Sequence, residues 1–266
     1  MAKFPKNFYW GAATSSHQVE GNNTNSDWWQ WEQSGGGKEA SGPACRHYEL
    51  YKQDLDLAKV LNHNCHRFSL EWSRIEPQEG QFSRVELDHY HDVLDALKER
   101  DLEPILTLHH FTNPIWFAQK GGWLNPDSPE IFLRFVKRVV EEFSGKVSFW
   151  VTINEPIVYA YHAYALGVWP PQEKSFRKTE IVIDNLFAAH TKAYRSIHDI
   201  YREKGSSSPY VGFAKNVQAF YPCIPTLRNK IAVKIRHSYY NMNFIEKALR
   251  LGALDFIGIN YYSRSL

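Results

Sequence analysis

Residues 149–156 read Phe149-Trp150-Val151-Thr152-Ile153-Asn154-Glu155-Pro156, an apolar strand-like run that passes straight into an amide, a carboxylic acid and a proline. Rigid strands aim the side chains at their ends, and that is where barrel and open α/β enzymes hold reacting groups. Pro156 has no N–H for a central ladder, so the strand should stop just after the acid. Glu155 so placed can give up and recover a proton. Asn154 beside it can donate to or accept from a hydroxyl. An acid solvated in an ordinary loop would carry the same Asn-Glu-Pro pattern, so the rest of the chain has to decide.

Polar groups recur beside other apolar runs. They occur in Ser16-His17-Gln18-Val19-Glu20-Gly21, in His66-Arg67-Phe68-Ser69-Leu70-Glu71-Trp72, in His109-His110-Phe111 and in Asn260-Tyr261-Tyr262. Amides, imidazoles and phenols can bond hydroxyl groups in either direction, which suits a polyol ligand and makes Glu155 a candidate acid/base for glycoside cleavage. Each residue also has a plainer reading. Gln18 can cap a loop, Tyr261 can be core, and Glu71 can be either a second acid near a cleft or a partner for Arg74. His109 and His110 are not expected to share a metal ion, because adjacent strand residues point to opposite faces; a hydrogen-bonded core histidine suits His109 better. Arg67 on an apolar strand is costly unless paired, so it either braces the structure or holds a carboxylate in its charged form.

These groups need a scaffold. Strand-like runs fall at 8–13, 65–72, 104–109, 148–153, 210–216 and 256–261, with helical stretches near 46–61, 85–100, 130–143, 179–204 and 231–251. In the second helix Val85, Tyr90, Val93, Leu94 and Leu97 suggest one apolar face. Asp127-Ser128-Pro129 supplies a helix start. Gly205-Ser206-Ser207-Ser208-Pro209 is a polar stop too short to link domains, so a single domain over 1–266 is expected. Strand–helix alternation with continuous apolar strands predicts a parallel sheet covered on both faces, closed as an eight-stranded barrel or left open and doubly wound. No GxGxxG or GxxxxGK[ST] follows the early strands, so a nucleotide-binding sheet loses its best support.

The 266 residues are 43 % hydrophobic and 23 % charged, as in ordinary globular proteins, with a net charge of +2 and no basic block. That balance gives no electrostatic support for nucleic-acid binding. Cys45, Cys65 and Cys223 are odd in number and lack CxxC spacing, which argues against a disulfide framework or structural zinc. No leader-like apolar stretch follows Met1-Ala2-Lys3-Phe4-Pro5, and no run is long enough to span a membrane, so a cytoplasmic protein is expected. The aromatic share, 15 % with nine Trp, suits stacking on sugar C–H faces and equally suits an aromatic core.

Taken in order, these pieces resemble family 1 glycoside hydrolases, the β-glucosidase and β-galactosidase family. The matching segments are Phe8-Tyr9-Trp10-Gly11-Ala12-Ala13-Thr14-Ser15-Ser16-His17-Gln18-Val19-Glu20-Gly21, His66-Arg67-Phe68-Ser69-Leu70-Glu71-Trp72-Ser73-Arg74-Ile75, Leu106-Thr107-Leu108-His109-His110-Phe111, Thr152-Ile153-Asn154-Glu155-Pro156 and Asp255-Phe256-Ile257-Gly258-Ile259-Asn260-Tyr261-Tyr262. The resemblance implies a (β/α)8 TIM barrel and hydrolysis of β-D-glucosides or related β-glycosides with retention of configuration. It implies Glu155 as general acid/base, and Gln18, His110 and Asn154 as ligands of sugar hydroxyls. It implies Asn260 and Tyr262 as supports of the nucleophile and the acid/base, and Arg67 as the nucleophile's partner. No metal or organic cofactor is implied. Phe111 stands where the family usually has Trp, which keeps a stacking face and removes an indole donor.

The chain also departs from the pattern. A barrel needs eight strands and roughly 250 or more residues, whereas six strands are counted here. The family's Ile/Val-Thr-Glu-Asn-Gly nucleophile segment has no counterpart in the sequence. The expectation is therefore an incomplete barrel of about six strand–helix units, carrying the acid/base and lacking the nucleophile. Open sheet edges then invite a complementing C-terminal fragment or self-association. The alternative is a non-catalytic carbohydrate-binding or interaction protein on a glycosidase scaffold. A third reading gives Glu71 or Glu20 the role of second carboxyl. The sugar and aglycone stay open.

Overall fold

A computed structural model describes residues 3–37 and 39–265. Both ends of the expected 1–266 domain, with Met1 and Ala2 of the stretch read for a leader, lie outside the described residues. The contacts divide the chain into two compact units, residues 1–120 with 138–150, and residues 121–137 with 151–266.

The first unit carries strands β1 (Gly11–Ala13), β2 (Cys65–Ser69) and β3 (Glu103–His109), with helices α1 (Ser16–Val19), α2 (Asp27–Gln33), α3 (His47–Val60), α4 (Trp72–Ile75), α5 (Arg84–Glu99) and α6 (Ile115–Gln119). The strands are parallel and in chain order, with Gly11 opposite Cys65 and Ser69 opposite Thr107. Gly11 is needed there, because a Cβ would stand 2.2 Å from the Cys65 carbonyl oxygen. Residues 8–10 of the strand expected at 8–13 lie outside β1. The Phe4, Phe8 and Trp10 rings cluster instead, with centroids 4.6–4.7 Å apart. The second expected strand ends at Ser69, because Glu71 caps α4 by accepting from the Ser73 N–H. Helix α5 buries Leu87, Tyr90, Val93, Leu94 and Leu97, while Val85 is 72 % exposed. At 100° per residue Val85 falls off that stripe and Leu87 takes its place.

The chain passes to the second unit after Lys120, returns within α7 (Ser128–Phe143) and crosses again within β4 (Phe149–Asn154). The second unit continues with α8 (Pro156–Ala160), α9 (Phe176–Glu203), β5 (Tyr210–Asn216), β6 (Ala219–Phe220), α10 (Leu227–Arg236), α11 (Asn243–Arg250), β7 (Phe256–Asn260) and β8 (Arg264–Ser265). Strands β5 and β7 run parallel from Gly212 opposite Phe256 to Asn216 opposite Asn260. Strands β6 and β8 form a small parallel pair that periodicity did not reveal. The helix expected at 231–251 begins earlier, because the Thr226 side chain accepts from the Asn229 N–H. A π turn at His237–Met242 then divides it. Strands β4 and β5 are buried nearly throughout, as expected for strands covered on both faces. Strand β7 is not, and Tyr261, read as a core candidate, is exposed just beyond it. No helix among the described residues is long and apolar enough to cross a membrane.

Candidate active site

The acid of the second unit sits where β4 hands over to α8. Glu155 is the residue before that helix, Pro156 is its first residue, and Glu155 itself has φ 48° and ψ 56°. A side chain other than glycine in this left-handed region costs about 1–3 kcal/mol and persists only where the surroundings enforce it. Here the Glu155 N–H donates to the Ala214 carbonyl at 2.8 Å, which ties the bend to β5. Glu155 is 7 % exposed, and its Oε1 accepts from Asn260 Nδ2 at 2.6 Å. The same amide reaches Asn154 Oδ1 at 3.3 Å, and Asn154 is 1 % exposed. Asn154, Glu155 and Asn260 are thus brought together as one hydrogen-bonded group. Tyr262 lies two residues past β7 and is 75 % exposed.

Two buried polar side chains brace the strands that carry this group. His190 on α9 shares a 2.7 Å hydrogen bond with Thr152 Oγ1 and another of 2.7 Å with the Ala253 carbonyl. Burial pushes its pKa down to about 4, so the ring is neutral, donates from Nε2 to Ala253 and accepts at Nδ1 from the Thr152 hydroxyl. The second is Lys215 on β5, fully buried, whose Nζ donates to the Asn216 carbonyl at 2.7 Å. Neither residue was singled out from the sequence. Lys215 carried the same signal as Arg67, a cation in an apolar strand.

The first unit holds the remaining expected site residues. Arg67 Nε donates to Thr107 Oγ1 at 3.0 Å. His110 follows β3, and its pKa is driven well below the ordinary value by burial, with the nearby charges of Arg67 and His109 adding to the effect. It is therefore a neutral imidazole, able to serve a hydroxyl in either direction. Gln18 on α1 is exposed, and its Oε1 accepts from Ser15 Oγ at 2.7 Å. His109 is core, bonded to Asn113 Oδ1 at 3.0 Å, and Asn113 in turn donates twice to Asp27.

Glu71 is buried, and its expected partner is corrected. Arg74 pairs with Glu20 at 3.1 Å, while Glu71 accepts from the hydroxyls of Ser16, Ser73 and Thr112 and from the Ser73 N–H. Tyr90 OH donates to Glu20 Oε1 and receives the Glu71 N–H, which completes a network through the loops that follow β1, β2 and β3. These bonds occupy Glu71 as a structural acceptor. Burial pushes Glu20 up to about 8, against the pull of Arg74 and with Glu71 adding to the rise.

Residues 1–256 match the model for glycosyl hydrolase family 1. The chain is 28 % identical over 99 % of its length to a 1,4-beta-D-glucan glucohydrolase of Thermotoga neapolitana, covering 69 % of that protein. It is 33 % identical over 76 % of its length to the cytosolic beta-glucosidase of Homo sapiens, covering 45 % of it. Its structure superposes on a beta-glycosidase from Pyrococcus horikoshii with a TM-score of 0.91 at 37 % identity, over 98 % of this chain and 63 % of that one. It thus spans about two thirds or less of these relatives. The shared fold is the (β/α)8 barrel, present here as an incomplete one. With a family match over nearly all of its residues, the chain belongs to glycosyl hydrolase family 1.

Proposed function

We propose that this chain carries the acid/base part of a retaining β-glycosidase acting on β-D-glucosides or related β-glycosides. The observation that carries the reading is Glu155, buried, set in a left-handed bend at a strand end and gripped by Asn260. In retaining cleavage one carboxyl protonates the leaving oxygen while a second, about 5–5.5 Å away, attacks the anomeric carbon; the first then takes a proton from water as the intermediate is hydrolysed. Glu155 takes the first role. Asn154, Gln18 and His110 are proposed as hydroxyl ligands, and Arg67, Asn260 and Tyr262 as supports. The chemistry needs no metal or organic cofactor, because two carboxyl groups suffice.

The second carboxyl is proposed to come from a complementing C-terminal segment that pairs with an open sheet edge, self-association being the other way to cover such an edge. The exposure of all three β1 residues supports this, as does Ile259 of β7 at 63 % exposure, since uncovered edge strands pair readily. We propose one glycosidase domain over 1–266 and a cytoplasmic location, the latter supported by the cytosolic human relative. The test is hydrolysis of an aryl β-D-glucoside by the chain, alone and with a peptide supplying the family's nucleophile strand, beside Glu155→Gln. Turnover in either condition that is lost in the variant supports the reading. Saturable glycoside binding with no turnover in both conditions overturns it in favour of a sugar-binding protein.

A further inference from the structure

Lys215 is a buried lysine to which the proposed function gives no part. Its side chain is 0 % exposed, on a strand whose residues from Val211 onward are all buried. An ammonium in such a place is costly unless compensated. Its partners are the Asn216 carbonyl at 2.7 Å and the face of Tyr240, 4.3 Å from Nζ to the ring centroid. Tyr240 OH donates to Asn216 Oδ1 at 2.9 Å, so ring, amide and ammonium brace one another. Ala214, the residue just before Lys215, receives the Glu155 N–H. Asn216, which takes the ammonium's hydrogen bond, stands opposite Asn260 across the ladder, and Asn260 donates to the Glu155 carboxyl, so the strand that fixes the backbone of the acid also carries a cation into the same cluster. Desolvation brings Lys215 down to about 8, and Glu155 acts in the opposite direction. Tyr240, pushed up to about 12 by burial and by Glu155, stays neutral, with the charge of Arg236, which lies over Phe220, working the other way.

We propose that Lys215 is a positioning residue for Glu155, a buried cation braced by Asn216 and Tyr240 that eases the return of the acid to its carboxylate form. The proposal rests on the acid/base role of Glu155. When Glu155 passes its proton to the leaving oxygen, a negative charge is left on a carboxyl with little access to water. A fixed ammonium stabilises that charge without reorganisation. The carboxylate is then ready to take a proton from the water that hydrolyses the intermediate. Full burial argues against Lys215 as a sugar ligand.

The test follows both groups by NMR in the full chain, which makes it independent of turnover. With ¹³Cε-labelled lysine, Lys215 is titrated in the wild type and in Glu155→Gln. With ¹³Cδ-labelled glutamate, Glu155 is titrated in the wild type and in Lys215→Met, a swap that keeps length and apolar character. Coupling is reciprocal. The midpoint of Lys215 should fall in Glu155→Gln, and that of Glu155 should rise in Lys215→Met, each by roughly one unit or more. If Lys215→Met does not fold, the Glu155→Gln titration decides alone. A Lys215 midpoint unchanged in Glu155→Gln sinks the proposal. Failure of the glycosidase reading shows separately, as coupled titrations in a chain that only binds glycoside.

Discussion

At the residue scale, the site depends on how few contacts hold the Glu155 carboxyl. Asn260 Nδ2 at 2.6 Å is a short, direct donor, and Asn260 stands at the end of a half-buried strand. Asn260→Ala should therefore leave thermal stability almost unchanged while lowering kcat in the complemented protein roughly 10- to 100-fold, the size expected for losing a hydrogen bond of about 1.5–3 kcal/mol to a charged group. An unchanged kcat would show that the amide is a bystander. The residues themselves were unevenly legible. Asn154 and Glu155 could be read because an acid directly after an apolar run is unusual, and Asn260 because it ends another such run. His190 and Lys215 were passed over because they sit inside regular elements, where side-chain chemistry is hidden by the pattern around it. Glu71 was misread because a nearby arginine is visible in sequence, whereas the hydroxyls of Ser16 and Thr112 come from distant segments.

At the element scale, the strand ends are aimed by buried polar pins beneath them. His190 ties α9 to β4 through Thr152 and to the loop before β7 through Ala253. His190→Leu would leave the Ala253 carbonyl unsatisfied and the Thr152 hydroxyl with only the Gly212 carbonyl at 3.2 Å, so a loss of about 1–3 kcal/mol in urea unfolding is expected. His190→Asn, which keeps a donor and an acceptor, should lose less. Equal losses would mean that ring packing against Phe213 and Phe244, not hydrogen bonding, is what matters. The long helices and central strands were legible because apolar periodicity marks burial directly. Short elements were not: α4 exists because Glu71 caps it, and α10 starts where Thr226 caps it, although that helix buries no side chain. Local hydrogen bonds of this kind leave no periodic trace.

At the scale of the whole molecule, stability should follow pH through groups that both units bury. His66, His89, His109 and His190 are pushed down to about 4, chiefly by burial, and His110 is driven well below its ordinary value. Their ordinary value is 6.5, so between about pH 6.5 and 4 the unfolded chain holds imidazole protons that the folded chain lacks. Stability contributed by these groups is present above 6.5 and is lost as pH falls through that window. Three carboxyls oppose them, since burial raises Glu20 to about 8, Asp27 to about 7 and Glu103 above its ordinary value. Between their ordinary values and these raised ones the folded chain holds the extra protons, and stability declines as pH rises. In the acid window five imidazoles outweigh three carboxyls. Just above 6.5 the carboxyls prevail, so the sign reverses, until Lys215, brought down to about 8, begins to oppose them. The melting temperature should therefore peak near pH 6.5, falling steeply toward pH 4.5 and more gently toward pH 8, each uncompensated proton being worth about 1.4 kcal/mol per pH unit. Scanning calorimetry from pH 4.5 to 8.5 at constant ionic strength measures both limbs. A melting temperature that holds steady from pH 6.5 down to 4.5 would mean the imidazoles are charged in the folded state, contrary to their burial. One that climbs from 6.5 to 8 would mean Glu20 and Asp27 fold as carboxylates, with Arg74 and Asn113 compensating their burial in full.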